Sequence, residues 1–166
     1  MRHRIFIAIN LPEDIKKQLT SYQYLWPELP VRWIKSDNLH ITLDFLGYVS
    51  DEELLNVFQN AEELASGHKS FDITLNKICY GPLNKIPPRM IWAVGEKIQE
   101  FNLIPHITLG RIKTWAWKQI EPEERPEISK EINLSFEVES IEVMESVLKK
   151  GGPEYEILES YPLKEA

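Results

Sequence analysis

The tetrapeptide His-Ile-Thr-Leu occurs twice in this chain, at positions 40–43 and again at 106–109. A glycine follows each copy, Gly47 after the first and Gly110 after the second. Four identical residues recurring within 166 imply a duplicated unit with one histidine per copy. In each copy polar and apolar residues alternate, as they do along a strand whose successive side chains point to opposite faces. His40 therefore shares a face with Thr42, and His106 with Thr108, while the isoleucines and leucines share the other. Such a chain must bury two apolar strand faces and find a place for two polar ones. If the strands come together, one cleft receives two imidazoles and two hydroxyls.

Charge narrows what that cleft can serve. The chain has 19 Lys and Arg against 26 Asp and Glu, a net charge of −7. A broad nucleic-acid groove needs a basic face that neutralises many phosphates, so no large groove is expected. A small pocket for one terminal phosphate remains compatible. The cations are also unevenly placed: Arg2, Arg4, Arg32, Lys35, Arg111 and Lys113 flank the strands of interest, whereas 121–124 and 137–145 are acidic. No apolar run is long enough to cross a membrane. Met1 to Ile5 leads directly into a strand-like run without the pattern of a signal peptide. The one cysteine, Cys79, has no partner for an internal disulfide and reads as a core or loop thiol. These features lead us to expect a cytoplasmic protein, a monomer by default, whose length suits one domain or two small lobes sharing a core.

Taken in order, residues 4–10 are apolar on both parities and read as a buried central strand. Leu11-Pro12-Glu13 opens a helix carrying Ile15, Leu19, Tyr22 and Trp26 at helical spacing to about residue 26. A short strand (31–34), a turn (36–38) and the first motif strand (39–46) follow. Ser50 to Glu53 forms a capping box for a second helix with Leu54, Phe58, Ala61 and Ala65 on one face, closed by Gly67. Phe71, Ile73 and Leu75 alternate as a strand, 89–95 is another buried strand, and 105–111 carries the second motif. Residues 114–130 read as an irregular loop with one short helix. Ile132, Leu134, Phe136 and Val138 alternate on even positions, but Ile141 and Val143 are odd, which marks a bulge or break near Glu139-Ser140. The last strand runs from about 154 to 162. In the first half a helix separates the buried strand from the motif. In the second only about ten residues do, so either this half is abbreviated or a segment near Glu96–Gln99 is missing. We favour the second, because helices cover sheet faces that would otherwise be exposed.

The paired motifs, His40-Ile-Thr-Leu with Phe45-Leu46-Gly47 and Pro105-His106-Ile-Thr-Leu with Gly110-Arg111, resemble the H-x-T-x pairs of the 2H phosphoesterases. Within that superfamily the chain is most similar to the RNA 2′,3′-cyclic phosphodiesterases, also called 2′-5′ RNA ligases. The likeness extends to the opening Arg4–Ile9 strand, Arg32-Trp33, Ile91-Trp92-Ala93, Ser146-Val147-Leu148 and Gly152-Pro153-Glu154-Tyr155. It departs in the short stretch before His106. The resemblance implies an α+β bilobal duplicated fold, two antiparallel sheets with outer helices around a central cleft that carries both motifs, in one domain spanning 1–166. It implies opening of an RNA terminal 2′,3′-cyclic phosphate to a 2′-phosphomonoester, with His40 as proton donor and His106 as acceptor. The residues alone do not assign those two roles, since the copies are nearly identical.

Hydrolysis of a cyclic phosphodiester needs a base for water and an acid for the departing ribose oxygen. Histidine can serve as either near neutrality, each role being worth roughly 10²–10⁴ in rate. Thr42 and Thr108 can donate hydrogen bonds to the non-bridging oxygens as charge builds. This scheme requires no metal and no cofactor. Phe45 and Arg111, each five residues after a histidine, line the nucleotide site in the family, where Phe45 would stack a base and Arg111 would contact base or phosphate. Strict alternation puts both on the face opposite their histidines, so they reach the cleft only if the strand ends or twists. A zinc site from His40, His106 and Asp44 is a weaker reading, because Gly110 replaces the aspartate in the second copy. His3 and His68 read as surface or capping residues, Trp33 and Trp92 as core. Trp115 and Trp117 read as part of a loop packed on the sheet rather than a base-stacking platform. The alternatives to hydrolysis are 2′-5′ RNA ligation, 2′-5′ phosphodiesterase activity, or an RNA-end or nucleotide-binding module without turnover. In each the partner is an RNA end or nucleotide.

Overall fold

The computed structural model describes all 166 residues. The apolar opening run forms β1 (Arg2–Asn10), and the helix after Pro12 forms α1 (Glu13–Tyr22). Then come β2 (Val31–Trp33), the first motif strand β3 (His40–Ser50), α2 (Asp51–Ser66), β4 (Phe71–Gly81), β5 (Met90–Gly95) and the second motif strand β6 (His106–Ile112). The chain finishes with α3 (Thr114–Lys118), β7 (Ser129–Val138), β8 (Ser140–Lys149) and β9 (Gly152–Pro162). The fold is α+β, with two antiparallel sheets ordered β3-β1-β8-β9 and β2-β6-β5-β4-β7. The two strands that read as apolar on both parities, β1 and β5, are interior strands, as that pattern demands.

One apolar cluster joins the sheets. Ile5, Ile7, Ile9 and Ile41 from the first meet Leu75, Ile91, Ile107 and Leu109 from the second. Each fully buried Ile or Leu here stabilises the fold by roughly 1.5–3 kcal/mol. On the other face of the first sheet a small cluster of Phe6, Ala8 and Met144 forms the floor on which part of the site is built. Ser50 caps α2 by accepting a hydrogen bond from the Glu53 amide at 3.1 Å, although Glu53 makes no return bond to the cap. The parity slip near residue 139 is a break rather than a bulge. The chain leaves the second sheet at Val138 and enters the first at Ser140, so each run alternates against a different layer.

One expectation is corrected here. α1 ends at Tyr22, not near 26, and the Gln23 side-chain amide turns away to donate to the Ile34 and Leu109 carbonyls at 2.9 and 3.0 Å, pinning the helix end to β6 and to the residue that follows β2. Trp26 still packs on the main core. Before the second motif, residues 96–105 close as a compact turn without an α-helix. Ile98 and Leu103 exchange backbone bonds around a 3-10 turn, Asn102 takes the left-handed conformation (φ 50°) that asparagine tolerates, and Phe101 stacks on His68. Trp117 of α3 and Ile128, from the polar stretch after the motif, join the main core. His68 itself bonds the Leu64 carbonyl at the end of α2, the capping role expected of it.

Candidate active site

Both motif strands depart from strict alternation at the same place. In β3, Thr42 faces Ala8 and Asp44 faces Ile7, so Leu43 is an extra residue without a partner. In β6, Thr108 faces Trp92 and Gly110 faces Ile91, so Leu109 is the extra residue. A one-residue bulge reverses the parity of everything after it. Phe45 and Arg111 thus come round to the face of their histidines. All six expected residues, His40, Thr42, Phe45, His106, Thr108 and Arg111, line one cleft of about 730 Å³. Gly110 lets β2 pack closely over the second bulge, since a Cβ there would collide with Val31 Cγ1 and lie 2.8 Å from the Trp33 ring.

The two histidines are held differently. His40 Nδ1 lies 2.7 Å from the Asn38 carbonyl, which fixes the proton on Nδ1 and leaves Nε2 as the working atom. Nε2 lies 2.9 Å from the Thr42 hydroxyl, which donates to it when the ring is neutral. Phe6 and Tyr155 pack against the ring with centroids 5.0 and 5.1 Å away. Asn38 is itself buried. Its amide donates to the Pro153 carbonyl at 2.9 Å and its oxygen accepts from the Tyr155 amide at 3.3 Å, so the turn that carries it is tied to β9. His106 makes no hydrogen bond and instead stacks on the Trp92 indole at 4.2 Å. Thr108 turns to the Met90 sulfur at 3.8 Å rather than to its histidine. Burial lowers the pKa of both imidazoles below 6.5. For His40, the Asn38 bond opposes that shift, and the nearby Lys16 and His106 charges add to it.

The LigT-like phosphoesterase family model matches residues 9–92, more than half of the chain. The chain belongs to the LigT-like phosphoesterases. A Methanocaldococcus jannaschii protein named RNA 2′,3′-cyclic phosphodiesterase is 28% identical, over 95% of this chain and 99% of its own. Among solved structures, TT0787 of Thermus thermophilus superposes with a TM-score of 0.82 at 27% identity, covering 98% of both chains. Escherichia coli LigT complexed with phosphate superposes with a TM-score of 0.78 at 26% identity, covering 99% of both.

In this LigT-like phosphoesterase the cleft is electropositive although the chain is acidic. Arg4, Arg32, Lys35 and Arg111 line it with no aspartate or glutamate among them. Asp44, weighed as a zinc ligand, is not part of the lining, and no group of three or more His, Cys, Asp or Glu side chains is arranged so that it could hold a metal ion. Trp33 packs on the main core over Gly110 and also reaches the cleft. Trp92, expected in the core, is corrected: its register opposite Thr108 puts it on the cleft face under His106. Gly81 leaves the space for its ring, as a Cβ there would collide with the indole. Trp117 is buried and Trp115 exposed, so they form no joint platform. Sequence reasoning missed Asn38, Tyr155 and the buried Lys16, whose ammonium lies 3.4 Å from the Asp37 carbonyl. The spacing Asn-x-His could have drawn attention to Asn38, while β9 and α1 are too distant in sequence to have pointed to the others. No helix is long and apolar enough to cross a membrane.

Proposed function

We propose that this protein is an RNA 2′,3′-cyclic phosphodiesterase that opens the terminal ring to a 2′-phosphomonoester by paired-histidine acid–base catalysis, without a metal. The observation that carries this reading is the convergence of His40 and His106, from equivalent strands of two sheets, on one cationic cleft with a threonine beside each. The name of the M. jannaschii relative and the phosphate bound to E. coli LigT support the substrate class.

In the reaction, His106, the proton acceptor by family resemblance, takes a proton from water in its neutral form as the water oxygen bonds to phosphorus. The bond from phosphorus to O3′ breaks, and protonated His40 gives its Nε2 proton to O3′. The phosphate stays on O2′. Protonation of Nε2 also releases the Thr42 hydroxyl from its resting role as donor to the ring. Thr42 and Thr108 then donate to the non-bridging oxygens, and Arg111 offsets their charge. Phe45, exposed on the cleft wall with Arg4 behind one face at 5.1 Å, offers the other face to a base. Histidine acid and base roles of about 10²–10⁴ each correspond to roughly 2.7–5.5 kcal/mol apiece.

The test is hydrolysis, in excess EDTA, of a nucleoside 2′,3′-cyclic phosphate and of an RNA ending in one, with the product read by phosphorus NMR. A 2′-phosphate formed at undiminished rate is expected. A 3′-phosphate, or loss of activity to EDTA that a divalent ion restores, would overturn the mechanism.

A further inference from the structure

The geometry points to a second anion subsite beside the histidines, formed by Arg32 and Lys35 next to Arg111, that binds the phosphate on the 5′ oxygen of the terminal nucleotide. The inference deepens the phosphodiesterase reading, and rests on it for the identity of the first phosphate.

Arg32 of β2 stands directly opposite Arg111 of β6 in an antiparallel pair. Like charges in that position repel and weaken the pairing of two strands. Here the cost is not offset within the protein, because neither arginine, nor Lys35, nor Arg4, makes an ion pair with any carboxylate. All four cations are exposed to the cleft, and no acidic side chain lines it. Lys35, three residues beyond Arg32, brings its ammonium across to the Gly151-Gly152 turn, 3.5 Å from where a Cβ on Gly151 would sit. This turn joins β8 to β9 in the other sheet, so the cations lie where the two sheets approach each other. A chain of net charge −7 that gathers four unpaired cations in one cleft holds them for anions.

One phosphate does not use them all. The scissile group must lie between His40 and His106 and take the two threonine hydroxyls, with Arg111 at its edge. Arg32 and Lys35 are left over. On an RNA end carrying a 2′,3′-cyclic phosphate, the other phosphate of the terminal nucleotide is the one on its 5′ oxygen. A nucleoside cyclic phosphate lacks it, whereas an RNA chain supplies it as the linking diester. The subsite therefore makes the enzyme select a cyclic phosphate at the end of a chain over the free mononucleoside.

The test uses two dinucleotides ending in a 2′,3′-cyclic phosphate, identical except that the linking phosphate is natural in one and a neutral methylphosphonate in the other. The natural dinucleotide is expected to have the higher kcat/KM by about tenfold or more, the scale of one charge-assisted hydrogen bond. In Arg32→Gln, and separately in Lys35→Gln, this ratio is expected to fall toward one. Calorimetric binding of the two corresponding 2′-phosphate products reads the same ratio without turnover. A protein that fails as a phosphodiesterase therefore still tests the subsite. A mononucleoside 5′-phosphate bearing the cyclic phosphate tells a terminal phosphate from a linking one. A ratio near one in the unmodified protein, or a ratio that both variants leave intact, would overturn the inference.

Discussion

Removing the Asn38 side chain separates the support of the active site from its chemistry. In Asn38→Ala the backbone carbonyl that accepts from His40 Nδ1 remains, but both side-chain bonds to β9 are lost. Each such bond contributes about 0.5–1.5 kcal/mol net, and a buried group left without a partner costs more. The Pro153 carbonyl lies in an exposed residue that water can reach, so the total should be about 2 kcal/mol. In a domain of this size that lowers Tm by roughly 4–8 °C, measurable by circular dichroism. The 3-10 turn at Ser36–Asn38 then loses its tie to β9, and the His40 ring loses its fixed angle. Misplacement of a catalytic group by about 1 Å costs up to about 10² in rate, so kcat on a nucleoside cyclic phosphate should fall by roughly tenfold or more with little change in KM. A variant whose Tm and kcat both match those of the unmodified protein would refute the idea that Asn38 positions His40.

Four further outcomes are expected. Thr42→Val, close in shape, should lower kcat by about 10²–10³ through loss of a transition-state donor, with a small effect on Tm in thermal melts. Both histidines are lowered from 6.5, and catalysis needs one neutral and one protonated, so the bell-shaped kcat/KM profile should peak on the acid side of pH 6.5. Lys16→Met removes a cation near His40 and should move only the His40 limb, the alkaline one if His40 is the acid, upward in pH-rate measurements. His3 is clasped between Asp51 Oδ1 (2.6 Å) and Glu145 Oε2 (2.7 Å), and these bonds raise its pKa. Its stabilisation is therefore complete below pH 6.5 and fades as pH rises through the higher folded value. A Tm difference between the unmodified protein and His3→Gln that grows with pH would contradict that sign.

The two motif strands, their duplication and the apolar central strands were legible because each follows from a pattern within about ten residues. The break between β7 and β8 was visible as a change of parity, though not its cause, a change of sheet. The bulges at Leu43 and Leu109 were not legible. A bulge exists only relative to a partner strand, and without them Phe45 and Arg111 read as facing away. Trp92 misled for the same reason: an aromatic on an interior strand reads as core until its register opposite Thr108 is known. Asn38 reads as a turn residue, and its bonds to Pro153 and Tyr155 depend on a chain segment more than a hundred residues away. The stretch after the second motif is polar and proline-broken, and that composition conceals the buried Trp117 and Ile128.

The claim on which this account turns is that His40 and His106 act together, one giving a proton while the other takes one. The most direct measurement is a double-mutant cycle in kcat with His40→Ala, His106→Ala and the double variant, alongside calorimetric binding of a 2′-phosphate product. Each single variant should lose about 10²–10⁴ in kcat while still binding the product, and the double variant should lose much less than the product of the two single losses, as for groups that work as a unit. Full kcat in either single variant, or losses that simply multiply, would contradict it.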